Sequence, residues 1–240
     1  MQNRYTGDIG DYGKLGLMRN LQKAGLKIGV NWYLTPDETH NGDGRHIGYL
    51  QNESFAACDR ALWNELKRLV ETGSRNVAEL QKDAILHASF YSAPLDFYEK
   101  PKLERELRRK NWHKKALTKL AGSDVIFVDP DNGLITTSTE GTKKSNKYVY
   151  PHELLDYYNQ DASVIYYQHK ARKLDSDYIA QQEDLITSFG FYFAKSICMK
   201  FTTTSQRYYF FIVHSEHFDR INMAMEDMLA TAWGEHFTRI

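Results

Sequence analysis

"DVIFVDPDNGL", residues 124–134, sets how the rest of the chain is read. Its first five residues are a short apolar run of the kind that forms a strand buried on both faces, as strands of parallel sheets are. The run stops at Asp129-Pro130, and Asp131, Asn132 and Gly133 follow as turn formers. A buried strand that hands over to a short acidic loop places Asp129, Asp131 and Asn132 at a carboxyl strand end, where open α/β sheets bind their ligands.

Outward from that strand, helical and strand-like segments alternate. Toward the N-terminus, "DYGKLGLMRNLQKAG" puts Leu15, Met18 and Leu21 on one helical face and supplies Gly25 as a stop. "KIGVNWYL", 27–34, reads as a strand, and a helix over 54–72 carries Phe55, Leu62, Leu66 and Leu69 at core spacing. "AILHASFY", 84–91, reads as a strand and 101–121 as a basic helix. Toward the C-terminus come a short helix over 151–158, the strand "SVIYYQ" and a helix over 176–189. A hairpin follows, made of "FYFAKSICMKF" and "QRYYFFIVH" around "TTTS", and a last helix repeats Phe218, Ile221, Met225 and Leu229. The expectation is one α/β domain over 1–240: a doubly wound, mostly parallel sheet with helices on both faces and a C-terminal antiparallel hairpin at its edge. That hairpin is the strand plan of class I methyltransferase folds.

Composition narrows the class of partner. Thirty-one basic and thirty-one acidic residues cancel, so no global field draws the chain to nucleic acid or membrane, although local patches remain open. Cys58 and Cys198 read as buried thiols rather than a disulfide framework. No apolar run reaches the length of a membrane span, and the expected setting is cytoplasmic with no membrane partner.

Three loops should converge at the carboxyl strand ends: 35–46, 91–96 and 129–134. In the first, Asp37, Glu38 and Asp43 can accept ribose hydroxyls while Gly42 and Gly44 let backbone approach a ligand; the plainer reading is a solvated turn. In the third, Asp129 can accept a hydrogen bond from an amine or hold a cation, whereas Asp131-Asn132-Gly133 also suits an Asx turn. "NGDG" is no dinucleotide fingerprint, and "DPDNGLITTSTE" has its glycine one place early for a calcium loop. Lys14, beside Asp8 and Asp11, interrupts an apolar helix; "YYQHKAR", 166–172, brings Gln168, His169 and Lys170 to the same rim. The helix with Arg105, Arg108, Arg109, Lys110, Lys114, Lys115 and Lys119 is either an ordinary charged face or a phosphate-tracking one.

Taken together, "GDIGDYGKLGLMRNL", "WYLTPDETHNGDGRHIGYL", "FYSAPL", "ALTKLAGSDVIFVDPDNGL" and "SVIYYQHKAR" resemble, in order and spacing over about 5–215, the large-subunit ribosomal RNA adenine-N6 methyltransferase J family of class I S-adenosylmethionine-dependent enzymes. The resemblance implies S-adenosylmethionine as cofactor, with Lys14, Asp37, Glu38, Gly42 and Gly44 at its site. It also implies Asp129, Pro130, Asp131 and Asn132 as the catalytic loop, acting on an exocyclic amine of a nucleobase in RNA or DNA. No metal belongs to this reading. The chain departs from the family's Asp-Pro-Pro-Tyr loop at Asp131 and Asn132, which removes the base-stacking ring. Asp131 makes the loop acidic and repellent to phosphate unless a cation or protonated amine intervenes. Two alternatives follow: a metal-dependent phosphodiesterase or nuclease that uses Asp129 and Asp131, with Glu153 and Lys170, to hold a divalent ion and orient water, or a noncatalytic binding protein on the same fold.

Overall fold

A computed structural model describes residues 1–38, 44–203 and 205–240. Seven strands form one sheet in the order β2-β1-β3-β6-β8-β7-β9. The strands are β1 (Ile28–Asn31), β2 (Ser89–Tyr91), β3 (Val125–Val128), β6 (Ser163–His169), β7 (Lys195–Thr202), β8 (Gln206–Val213) and β9 (Phe237–Arg239). β2, β1, β3 and β6 run parallel, β8 runs against β6, and β7 pairs antiparallel with both β8 and β9. Two further strands, β4 (Gly133–Leu134) and β5 (Tyr148–Val149), make a separate two-stranded ribbon beyond the end of β3. The arrangement is a mostly parallel α/β sheet flanked by helices, compatible with a Rossmann-like fold.

The alternation of side chains across each strand divides the core into two layers. Val125 and Phe127 of β3, with Tyr209, Phe211 and Val213 of β8, pack in one layer; Ile126 and Val128, with Tyr208, Phe210 and Ile212, pack in the other. The first layer is covered by helices α1 (Ile9–Lys23), α3 (Arg60–Glu71) and α8 (Ser215–Leu229), with short α2 (Glu53–Ala56) and α4 (Val77–Leu80) beside them. The second is covered by α5 (Lys102–Leu120), α6 (Pro151–Tyr158) and α7 (Asp175–Ser188).

α1 starts earlier than its apolar spacing indicates because Asp8 is a side-chain N-cap, accepting from Gly10 N at 2.8 Å and Asp11 N at 3.0 Å. Its stop at Gly25 is as expected, with φ +79° just past the last turn. The helix expected over 54–72 is instead two, because Asp59 leaves helical geometry to cap α3 through Leu62 N at 3.1 Å. Of the strand expected over 84–91, only β2 pairs with the sheet. Ile85 and Leu86 are buried but in loop, where Arg19 Nη1 donates to Ile85 O at 2.7 Å. The hairpin β7–β8 forms, yet its place is corrected: β8 lies inside against β6, and β9 covers the outer side of β7. Among the described residues no helix is long and apolar enough to cross a membrane.

Candidate functional site

Beyond the carboxyl ends of β3 and β6, a cavity of about 270 Å³ opens against the first turns of α1. That volume is near the lower end for small-molecule sites. Its floor is charged. Lys14 on α1 reaches across to the end of β3, where its Nζ sits 2.5 Å from Asp129 Oδ2 and 2.9 Å from Asp11 Oδ1. All three are buried: Asp11 is 0 % exposed, Asp129 3 % and Lys14 6 %. Burial opposes the Lys14 charge, but Asp11 and Asp129 outweigh it and hold the ammonium above the usual lysine range. Burial also pushes the Asp11 carboxyl up to about 6, Lys14 opposing the shift and Asp8 adding to it. One ammonium thus serves two carboxylates.

The DPDN loop is fixed at Asp129, Asp131 and Asn132. Asp129 N donates to Asn31 O at 3.0 Å, continuing the β1–β3 ladder past its last pair. The Met1 α-amino group forms an ion pair with Asp131 Oδ1 and donates to Asp129 O at 3.0 Å. Gln2 Nε2 donates to Asp131 Oδ2 at 2.7 Å. Burial favours a neutral Asp131, but the ammonium, Gln2 and Lys147 outweigh it and hold the carboxyl below its ordinary range. A protonated amine thus neutralises the acidic residue that breaks the catalytic-loop pattern. Asn132 N donates to Lys147 O at 3.0 Å, and Asn132 O accepts from Gln168 Nε2 at 3.1 Å. Gly133 has φ +110°, and a Cβ there would meet Gln168 Oε1 at 2.2 Å, so the loop closes on Gln168 only with glycine present.

Of the residues singled out in the sequence, Asp8, Asp11, Lys14, Gly44, Asp129, Pro130, Asp131, Asn132 and His169 line this cavity. Asp37 and Glu38 do not. Asp37 is exposed and accepts from Arg4 N at 3.2 Å, while Glu38 is paired with Lys147 and Arg4. Gly42 and Asp43 lie outside the described residues. The loop 91–96 does not reach the cavity; Trp32 N donates to Tyr91 O at 3.1 Å and Leu95 N to Leu34 O at 2.7 Å, which ties it alongside the chain leaving β1. Gly44, with φ +79°, is held by Arg75, whose Nε donates to Thr6 O at 2.7 Å and Nη2 to Gly44 O at 2.5 Å.

The donor set of the metal-dependent alternative disperses. Glu153 lies in the other core layer, paired with Arg109 Nε at 2.7 Å, and Lys170 is bound to Asp175 and Tyr208. Asp129 and Asp131 each face a different ammonium. Among the described residues no group of three or more His, Cys, Asp or Glu is arranged to hold a metal ion. The basic helix α5 is likewise sorted: Arg109 is buried, Arg108 pairs with Glu104, and Lys110, Lys114, Lys115 and Lys119 stay exposed.

On the opposite wall sequence reasoning found His169 but missed its neighbours. His46 reaches the cavity because Ile9 N donates to its carbonyl at 2.9 Å. Tyr167 and His169 of β6, with Ser205 and Arg207 at the start of β8, complete the lining. His169 pairs with Arg207 in the β6–β8 ladder, so the reversed strand brings its first residues, not its last, to the ligand edge. No protein-family model and no curated protein matches this chain.

Proposed function

We propose that the protein is a class I methyltransferase-type enzyme that transfers a methyl group from S-adenosylmethionine to an exocyclic amine, with a nucleobase of RNA or DNA as the acceptor class. The observation that carries this reading is the 2.5 Å contact between Lys14 Nζ and Asp129 Oδ2. These are the two residues that the resemblance assigns to cofactor and acceptor, and both line one cavity at carboxyl strand ends. A second support is the sheet order, in which the reversed β8 sits between β6 and β7 as a class I plan requires.

The cavity fits the charged end of such a cofactor. Its wall includes Arg207, whose guanidinium has no ion pair among the described residues and suits a carboxylate. S-adenosylmethionine, when bound, supplies a methyl group already activated on a sulfonium. The chain's own part is placement. Lys14 holds one oxygen of Asp129 and fixes the carboxylate on the cavity, ready to accept a hydrogen bond from an amine. The exposed lysines of α5 offer a sequence-independent contact for a nucleic-acid backbone.

Isothermal titration of the protein with S-adenosylhomocysteine tests the reading. Saturable binding below millimolar concentration, together with transfer of labelled methyl to RNA or DNA that Asp129→Ala abolishes, is the expected result. Absence of binding at millimolar concentration ends it.

A further inference from the structure

Among the described residues Arg207 is the cation of the cavity without an ion-pair partner, the Asp8 carboxylate attracting it only from beyond contact distance. It is 8 % exposed, and no carboxylate pairs with it among the described residues. Its Nη1 is buried without a hydrogen-bond partner. Lys14, by contrast, already has two carboxylates, and the Met1 amine has Asp131. The guanidinium is hydrogen-bonded to Tyr167 and has Tyr209 and the Asp8 carboxylate as its other neighbours, and the Tyr209 hydroxyl is itself buried and unpartnered. A buried, unpaired charge is costly, and a folded protein keeps one where a ligand completes it.

The seat of this side chain is specific. A Cβ on Gly10 would lie 3.0 Å from Arg207 Nε and 3.2 Å from its Cζ, so the guanidinium rests against the first turn of α1 at the one place without a side chain. The backbone N–H groups of that turn are already taken by Asp8, which leaves the guanidinium, not the helix end, as the free donor. We infer that Arg207 is an oxyanion receptor: its guanidinium, seated in the position made by Gly10, binds the carboxylate or phosphate group of the cavity's ligand. The carboxylate source rests on the methyltransferase reading; the subsite itself does not.

Thermal unfolding and calorimetry of wild type and Arg207→Met test this with four probes: inorganic phosphate, adenosine monophosphate, S-adenosylhomocysteine and methylthioadenosine, which lacks the carboxylate. Ligand-free Arg207→Met should melt no lower than wild type, since it loses an unpaired buried charge. At least one oxyanion probe should bind wild type and lose about tenfold or more in affinity in the variant. Arg207-dependent S-adenosylhomocysteine binding, with methylthioadenosine binding both proteins equally, assigns a carboxylate. Arg207-dependent binding of phosphate or the monophosphate without S-adenosylhomocysteine keeps the subsite and removes the methyltransferase reading. S-adenosylhomocysteine binding that is equal in both proteins overturns the subsite and leaves that reading standing. No binding by any probe overturns both. Should Arg207→Met fail to fold, Gly10→Ala keeps the charge and displaces it, and the same loss is expected.

Discussion

Lys14 Nζ and Asp129 Oδ2 meet at 2.5 Å across 115 residues of sequence, and Asp11 Oδ1 shares the same ammonium at 2.9 Å. The contact joins the first helix to the end of the central strand β3. It therefore links the packing of α1 on the sheet to the geometry of the cavity. An ion pair at this depth is a poor source of net stability, because desolvation cancels most of the attraction, but it is expensive to break from one side.

Lys14→Met should lower the free energy of unfolding by about 3–5 kcal/mol at neutral pH, because it leaves Asp11 and Asp129 facing each other without a cation. Urea unfolding followed by circular dichroism reads this directly. An unchanged midpoint would mean that the two carboxylates are solvated in solution and that the pair does not hold the loop.

The Asp11 carboxyl, raised from an ordinary 3.8 to about 6 chiefly by burial, binds its proton more tightly in the folded chain than in the unfolded one. Stability from that proton is fully present below 3.8 and is lost as pH rises through about 6. Between about pH 4 and pH 6 Asp11 should therefore subtract stability as pH rises, and Asp11→Asn, which does not titrate, should lack that contribution and gain more, or lose less, stability with pH than the wild type. Equal slopes for the two proteins across that window would contradict the raised carboxyl.

What could be read in the chain was local. The four apolar residues of β3, the spacing of Leu15, Met18 and Leu21, and the turn chemistry of Asp131-Asn132-Gly133 are near-neighbour patterns, and they give the strand, the helix and the loop. Lys14 and Asp129 stood out because charged residues interrupt apolar segments there. Arg207 carries no such mark: "QRYYFFIV" reads as an edge strand with a polar start. Its burial follows from β8 turning back between β6 and β7, and from the missing side chain of Gly10, both of which are relations between distant segments. The break of 54–72 at Asp59 was legible as an N-cap, but the spacing of Phe55 with Leu62, Leu66 and Leu69 concealed it.

Glu153 is held at both oxygens. Arg109 Nε lies 2.7 Å from Oε1 and Nη2 lies 2.8 Å from Oε2, while the Tyr33 hydroxyl and Tyr150 N donate to Oε2 at 3.1 and 3.0 Å. Burial alone would raise its carboxyl, but Arg109 outweighs it and brings the group down from 4.5 to about 2. The stabilisation is complete above 4.5 and is lost as pH falls through about 2, the reverse of Asp11. Glu153→Gln should cost about 3–5 kcal/mol at pH 7 and should remove the acid-side loss, because the guanidinium stays buried without its partner. Arg109→Lys gives up the two-pronged geometry and should fall between the two proteins. A glutamine variant as stable as wild type, by chemical denaturation, would show the pair to be dispensable.

Gly16 is the helical position where propensity and packing point in opposite directions. Alanine is the better helix former by about 0.8–1.0 kcal/mol. A Cβ there, however, would lie 2.3 Å from Trp233 Cζ2 and 2.4 Å from Cη2, with the ring itself 1 % exposed and unable to retreat. Overpacking of this kind costs about 1–3 kcal/mol, so Gly16→Ala should be destabilising on balance. The same substitution made with Trp233→Leu should be neutral or stabilising, since the smaller side chain clears the space above the helix. The double-mutant cycle should thus show a favourable coupling between the two changes. If Gly16→Ala alone stabilises the protein in urea, α1 does not lie as close to Trp233 as the packing of α1 against α8 and the C-terminal segment requires.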